Sequence, residues 1–143
     1  MVDYGLKDRV VIITGANNPW GIGATTAFAF AREEAKVVLI YKKILRSFDN
    51  TKMDRNGVDR YYGANAGSAD AVEIKLKEMA ADYIVLESDI SNEDAVKEIY
   101  SIVLEKYGRV DILFNNAATD DETGCDTIET ITQKVIDDTF AVN

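Results

Sequence analysis

Three glycines near the start of the chain are spaced as in a loop that binds phosphate groups. They lie in the segment Thr14-Gly15-Ala16-Asn17-Asn18-Pro19-Trp20-Gly21-Ile22-Gly23. A glycine directly after a strand lets the backbone turn with φ values that other residues resist. Glycines at the start of the next helix let a diphosphate approach backbone N–H groups, where the helix dipole favours negative charge. In a strand–turn–helix context, this pattern predicts a dinucleotide site.

The elements that would position this loop alternate along the chain. Short apolar runs lie at 9–14, 36–41, 83–86 and 110–114. Their β-branched content predicts strands buried on both faces of a parallel sheet. Helical periodicity fills the intervals between the runs, and the last helix is predicted to begin near Thr127. The order predicts an α/β fold with a Rossmann-type doubly wound parallel sheet. Phe140 and Val142 are still apolar in the last predicted helix, which has no stop signal, so the fold is predicted to be truncated after the fourth strand and part of the following helix.

Finer details of the elements follow from their composition. Ser91 with Asp94 predicts a capping box at the start of the helix after the third strand. In the last helix, the residues expected to point inward are Ile128, Ile131, Val135 and Ile136. Residues 44–67 have no clear periodicity, which predicts an irregular insertion within a single domain over residues 1–143. The insertion would form a small apolar cluster, or cover a ligand or an oligomer contact.

Composition and charge exclude several function classes. A formal net charge of −9 argues against general affinity for nucleic acid or for an anionic membrane. The chain has no histidine and one cysteine, so we expect no metal site and no Ser-His-Asp triad. The first apolar run is too short for a signal peptide or a membrane span, and we expect a cytoplasmic location.

Two later motifs extend the pattern. Asp89-Ile90 follows the third predicted strand, and Asn115-Asn116-Ala117-Ala118 follows the fourth. Together with the glycine loop, they resemble the short-chain dehydrogenase/reductase family over nearly the whole chain. The loop departs from the usual spacing of that family, because five residues separate Gly15 from Gly21. The second departure is Ala118, which stands where the family motif ends in glycine.

The resemblance implies roles by position. Gly15, Gly21, Ile22 and Gly23 would line the diphosphate, and Asn17 would contact the ribose phosphate side. Asp89 would accept a hydrogen bond from the adenine amino group, with the Ile90 backbone beside it. The residues that would border the ribose and nicotinamide are Asn115, Ala117 and Ala118, and Asn115 would also tie neighbouring strands together. Asn143 falls where the family has an asparagine of the proton relay, a catalytic role.

The end of the second predicted strand bears on the choice of cofactor. NAD-binding folds carry an acidic residue there, which accepts hydrogen bonds from the ribose hydroxyls. This chain has Tyr41-Lys42-Lys43 and no carboxylate nearby. A lysine attracts a 2′-phosphate through a charge-assisted hydrogen bond. The residues therefore favour NADP(H) over NAD(H), with Tyr41 and Lys42 as candidate contacts.

The resemblance implies an oxidoreductase that acts on a small carbonyl or alcohol substrate, yet its catalytic groups are missing. The family uses a serine and a Tyr-x-x-x-Lys pair, and no tyrosine of this chain is followed by lysine four residues later. The chain alone is therefore expected to be inactive and to be the N-terminal portion of a longer protein. A bare fourth strand would favour homo-oligomers. The alternatives are a non-catalytic nucleotide-binding module and a relative of the enoyl-thioester reductases, some of which have enlarged glycine loops.

Overall fold

Strands and helices alternate in the computed structural model, which describes residues 3–119 and 130–143. The strands are β1 (Val10–Thr14), β2 (Lys36–Tyr41), β3 (Tyr83–Glu87) and β4 (Ile112–Phe114). The helices are α1 (Ile22–Arg32), α2 (Val58–Ala66), α3 (Asp70–Glu78), α4 (Glu93–Tyr107) and α5 (Gln133–Val142), with a short 3-10 helix at Asn50–Lys52.

The strands form one parallel sheet in the order β3-β2-β1-β4. Val11 of β1 pairs with Val37 of β2 on one side and with Ile112 of β4 on the other. The chain winds from β1 towards β3 in one direction and then crosses to β4 on the opposite side. Such a reversal is the topological switch point at which open α/β sheets bind ligands.

Apolar layers cover both faces of the sheet. Alternate residues of β1 and β2 contact α1 and α3 on one face, where Ala24, Ala27, Phe28, Val72 and Leu76 are buried. The other face packs against α4 through Ile99 and Val103. The predicted Rossmann-type doubly wound sheet is therefore confirmed, and β1, from which the glycine loop departs, lies in its interior between β2 and β4.

The structure corrects several details of the prediction. Residues 44–67 are not irregular throughout, because α2 spans Val58–Ala66. The helix after β3 is capped by Asn92, which accepts hydrogen bonds from Asp94 N and Ala95 N, so the predicted capping box is wrong. The predicted helix start at Thr127 and the inward position of Ile128 lie outside the described residues. Ile131 is 43% exposed and precedes α5, which contradicts its inward position.

A carboxylate joins the beginnings of β1 and β4. Asp111 accepts a hydrogen bond from Val10 N at 2.9 Å and a second from Arg9 Nη1 at 3.1 Å, and it also pairs with Arg109. The backbone hydrogen bond from Val10, followed by the one from Arg109, lowers the pKa of Asp111 to about 2. Asp111 therefore stays ionised well below the usual pKa range of aspartate.

We expect this carboxylate to contribute to acid stability. A depressed pKa in the folded state stabilises the fold above the unfolded pKa of about 4, and this contribution is lost as the pH falls towards about 2. Asp111→Asn should therefore flatten the fall in the free energy of unfolding between these two values, measured by urea denaturation at a series of pH values. Asp54→Asn, at a side chain that is 77% exposed, is the matched control and should keep the slope of the parent chain.

Candidate functional site

A cleft of about 790 Å³ opens at the carboxyl end of β1, next to the switch point of the sheet. Its volume lies within the range of about 300–1,000 Å³ that is typical of small-molecule sites. The segments that line it are the glycine loop, the end of β2 with the residues after it, the start of α2 and its body, the turn after β3, the residues that follow β4 and the end of α5 at Val142. Six stretches of the chain therefore meet at one edge of the sheet.

Gly15 makes the turn that leaves β1. Its φ is +69°, in the left-handed region that favours glycine, and its N–H donates to Ile40 O at 2.8 Å. A Cβ at this position would lie 2.8 Å from Cα of Ala117, in the segment after β4. The turn and the close approach of the two backbones both require the absence of a side chain.

The start of α1 has no side-chain cap and lies against the segment that follows β4. Gly21 occupies the N-cap position and makes no capping hydrogen bond through a side chain. A Cβ at Gly23 would lie 2.7 Å from both Asn116 Nδ2 and Gly15 O, so glycine lets the helix pack closely onto the loop. The first N–H groups of α1 therefore remain available to an anion in the cleft.

Hydrogen bonds between the ends of β1 and β4 hold this edge together. The buried hydroxyl of Thr14 accepts from Asn116 N at 3.1 Å and from Ala117 N at 3.0 Å. The Asn116 side chain donates to Thr14 O at 2.8 Å and to Gly15 O at 3.0 Å. The predicted tie by Asn115 is therefore wrong, because Asn116 makes these bonds and Asn115 is exposed.

The two lysines after β2 pair with two carboxylates, one at the end of β3 and one in the turn that follows it. Lys42 Nζ lies 2.5 Å from Asp89 Oδ2, and this bond, followed by one from Ser91, lowers the pKa of Asp89 to about 2. Lys43 Nζ lies 2.8 Å from Glu87 Oε2, which raises the pKa of Lys43. Asp89 is thus an ionised acceptor at neutral pH, and Lys42 is the cation beside it.

Helix α2 forms a wall of the cleft that none of the sequence motifs indicates. The Asn17 amide, which is 5% exposed, donates to Asn65 O and Gly67 O at 3.0 Å and to Ala64 O at 3.4 Å. The guanidinium of Arg60 lies 3.7 Å from the ring centroid of Trp20 in the glycine loop. Asn17 therefore binds the carboxyl end of α2, although its expected partner was a ribose phosphate.

The structure brings most of the predicted site residues together. Those that line the cleft are Gly15, Asn17, Gly21, Ile22, Tyr41, Lys42, Asp89, Ile90, Ala117 and Ala118. Gly23 does not line the cleft but packs closely against Gly15 O and the Asn116 side chain. Asn115 is also not among the lining residues. Asn143 accepts from Thr119 N at 2.9 Å and donates to Thr119 O at 3.1 Å, and its role in a proton relay stays a prediction.

Residues 3–119 and 130–143 contain no helix that is both long and apolar enough to cross a bilayer. Within the same residues, no group of three or more His, Cys, Asp or Glu side chains is placed so that it could hold a metal ion.

Comparisons with known proteins give one consistent result. The family model for short chain dehydrogenase matches residues 50–143. The peroxisomal hydratase-dehydrogenase-epimerase of Saccharomyces cerevisiae is 37% identical over 115 residues, which cover 80% of this chain and 11% of that protein. The 12alpha-hydroxysteroid dehydrogenase of Clostridium sp. is 36% identical over 76% of this chain and 36% of that protein. The 3-oxoacyl-[acyl-carrier-protein] reductase of Synechocystis sp. is 28% identical over 82% of this chain and 38% of that protein.

A solved structure shares the fold. A metagenomic short-chain oxidoreductase, crystallised in complex with NADP, superposes with a TM-score of 0.67 at 26% sequence identity. The superposition covers 95% of this chain and 50% of that chain. The chain thus spans about half of this structural neighbour and a smaller share of the three curated relatives.

Proposed function

The chain belongs to the short chain dehydrogenase family, and on this basis we propose that its cleft binds NADP(H) as the nucleotide-binding part of an oxidoreductase. The observation that carries the proposal is the bare N-terminus of α1, which opens into a cleft at the switch point of the sheet. An uncapped helix start with glycines on both sides favours a diphosphate over bulkier or neutral groups. The other residues of the cleft then take roles along an extended dinucleotide.

At one end of the ligand, the adenosine would lie against the turn after β3. The ionised carboxylate of Asp89 would accept a hydrogen bond from the adenine amino group. Lys42, which pairs with Asp89 in the free protein, would donate to a 2′-phosphate on the ribose. Residues 41–43 include no acidic residue to accept hydrogen bonds from the ribose hydroxyls, and the nearby carboxylates of Asp89 and Glu87 are each paired with a lysine. Both features support NADP(H) over NAD(H).

At the other end, the nicotinamide would lie beside Ala117 and Ala118, which follow β4. When bound, it would supply hydride exchange with a carbonyl or alcohol substrate. The chain contains no Tyr-x-x-x-Lys pair, so the proton transfer would need groups from a longer protein. The homo-oligomer and the cytoplasmic location stay predictions.

Titration calorimetry with NADPH and NADH tests the proposal. We expect NADPH to bind more tightly, and we expect Lys42→Gln to weaken NADPH binding by about tenfold or more, because a charge-assisted hydrogen bond is lost. NADH binding should change by less than about threefold, since NADH carries no 2′-phosphate.

Lys52→Gln is the matched control, because Lys52 pairs with Asp49 and does not line the cleft. This variant should leave both affinities unchanged. Tighter binding of NADH by the parent chain would contradict the cofactor preference, and binding of neither dinucleotide would contradict the proposed function.

A further inference from the structure

The cleft contains a basic residue, Arg60, that belongs to none of the sequence motifs. It lies on α2 and lines the same cleft as Lys42 and the glycine loop. Its guanidinium stacks over the Trp20 ring at 3.7 Å from the centroid, a cation–π geometry that holds the plane of the group. The contact with Trp20 therefore orients the guanidinium of Arg60 in the wall of the predicted dinucleotide site.

Most of the hydrogen-bonding capacity of Arg60 is unused. A guanidinium has five N–H donors, and here Nη1 donates to Asn56 Oδ1 at 2.8 Å, whereas Nε is buried without a partner. Within residues 3–119 and 130–143, no acidic side chain forms a salt bridge with Arg60. Lys42 and Lys43, in contrast, are each paired with a carboxylate. Of the three basic residues that line the cleft, Arg60 is therefore the one without an acidic partner among the described residues.

The position of Arg60 depends on the glycine loop itself. The carboxyl end of α2 is bound by the amide of Asn17 and by Ile44 N, which donates to Asn65 O at 3.0 Å. The loop that would hold a diphosphate therefore also sets where α2 lies. The charged residues that line the cleft are Lys42, Lys43, Arg60 and Asp89, a local excess of positive charge in a chain of net charge −9.

We propose that Arg60 is a specificity residue that binds the phosphate monoester on the adenosine ribose, together with Lys42. This inference rests on the proposed function and names a second cation for its 2′-phosphate. A phosphate monoester carries a charge of about −1.5 to −2 at neutral pH, and a single lysine already paired with Asp89 balances only part of it. An arginine stacked on an aromatic ring keeps a permanent charge in a defined plane, and its terminal Nη groups have N–H donors left for phosphate oxygens.

The test is titration of the protein and its Arg60→Gln variant with NADPH, NADH, adenosine 2′,5′-bisphosphate and AMP. We expect Arg60→Gln to weaken binding of NADPH and of the bisphosphate by about 10- to 100-fold. Binding of NADH and AMP should change by less than about threefold. Arg60→Lys should restore only part of the affinity, because lysine has the charge without the planar donor pair.

Arg55→Gln is the matched control, since Arg55 lies in the same segment, is 81% exposed and does not line the cleft. It should leave all four affinities unchanged. Equal losses for NADPH and NADH would assign Arg60 to the diphosphate shared by both and overturn the inference. Unchanged NADPH binding would overturn it and leave the proposed function standing. If the parent chain bound neither dinucleotide, the proposed function would fail and this inference with it.

Discussion

A free energy of unfolding lower by about 3 kcal/mol is the expected result of replacing Asn17 with aspartate. The side chain is buried, and its amide donates to three carbonyl oxygens at the carboxyl end of α2. Aspartate has nearly the same shape but would place a carboxylate against these oxygens and against the negative end of the helix dipole. Chemical denaturation in the absence of ligand measures the effect.

The pH dependence of this variant separates electrostatic repulsion from a packing defect. The unfavourable environment should raise the pKa of the new carboxyl, and its protonated form can again donate a hydrogen bond. The loss of stability should therefore shrink as the pH falls from about 7 to about 4. A loss that does not change with pH would contradict the electrostatic explanation.

Asn18→Asp is the matched control, because Asn18 is equally buried but accepts a hydrogen bond. Its Oδ1 accepts from Trp20 N at 3.0 Å, and a carboxylate oxygen can do the same. We expect a loss of about 1 kcal/mol or less. Equal losses at the two neighbouring positions would mean that burial of the charge, and not the direction of the hydrogen bonds, decides the outcome.

The sheet could be predicted from the sequence because its signal is local. The run Lys36–Tyr41 matches β2 residue for residue, and β1 begins one residue after the predicted start. Both strands are buried on both faces, so consecutive apolar residues mark them without any knowledge of their neighbours. The crossover rule then leaves few arrangements of the sheet.

Helix α2 could not be predicted in the same way, because its stability is not encoded in its own residues. None of its side chains is fully buried, and its N-cap residue makes no side-chain hydrogen bond. Its carboxyl end is held instead by Asn17, which is 47 residues distant from Ala64 in the chain. A weak signal exists, since Val58, Tyr61, Tyr62 and Asn65 follow helical spacing.

The role predicted for Asn115 belongs to Asn116, and here the alternation of side chains along β4 could have given the right residue. Ile112 and Phe114 of β4 pack against the face of the sheet that contacts α1, whereas Leu113 is 47% exposed. Because alternate side chains lie on the same face of a strand, Asn116 continues the series of Ile112 and Phe114. Its amide donates to the backbone of β1. Family resemblance alone assigned the tie to the neighbouring asparagine.

The second large effect is expected at Gly15, where alanine would meet two obstacles. A positive φ costs an alanine about 1–2 kcal/mol, and the added Cβ would lie 2.8 Å from the Ala117 backbone. The backbone atoms of Ala117, in the segment after β4, cannot move aside as a flexible side chain can, so overpacking should add about 1–3 kcal/mol. We expect Gly15→Ala to lower the free energy of unfolding by about 2–5 kcal/mol and to abolish measurable dinucleotide binding.

Gly108→Ala isolates the first of these two obstacles. Gly108 ends α4 with a φ of +73°, nearly that of Gly15, yet an added Cβ there would meet nothing within 4 Å. It should lose only the conformational part, about 1–2 kcal/mol, and it should keep its affinity for the dinucleotide. The difference between the two variants then measures the close approach of β1 and β4. If both lost the same stability, the contact between Gly15 and Ala117 would not constrain the fold, and the geometry of the proposed diphosphate site would rest on the turn alone.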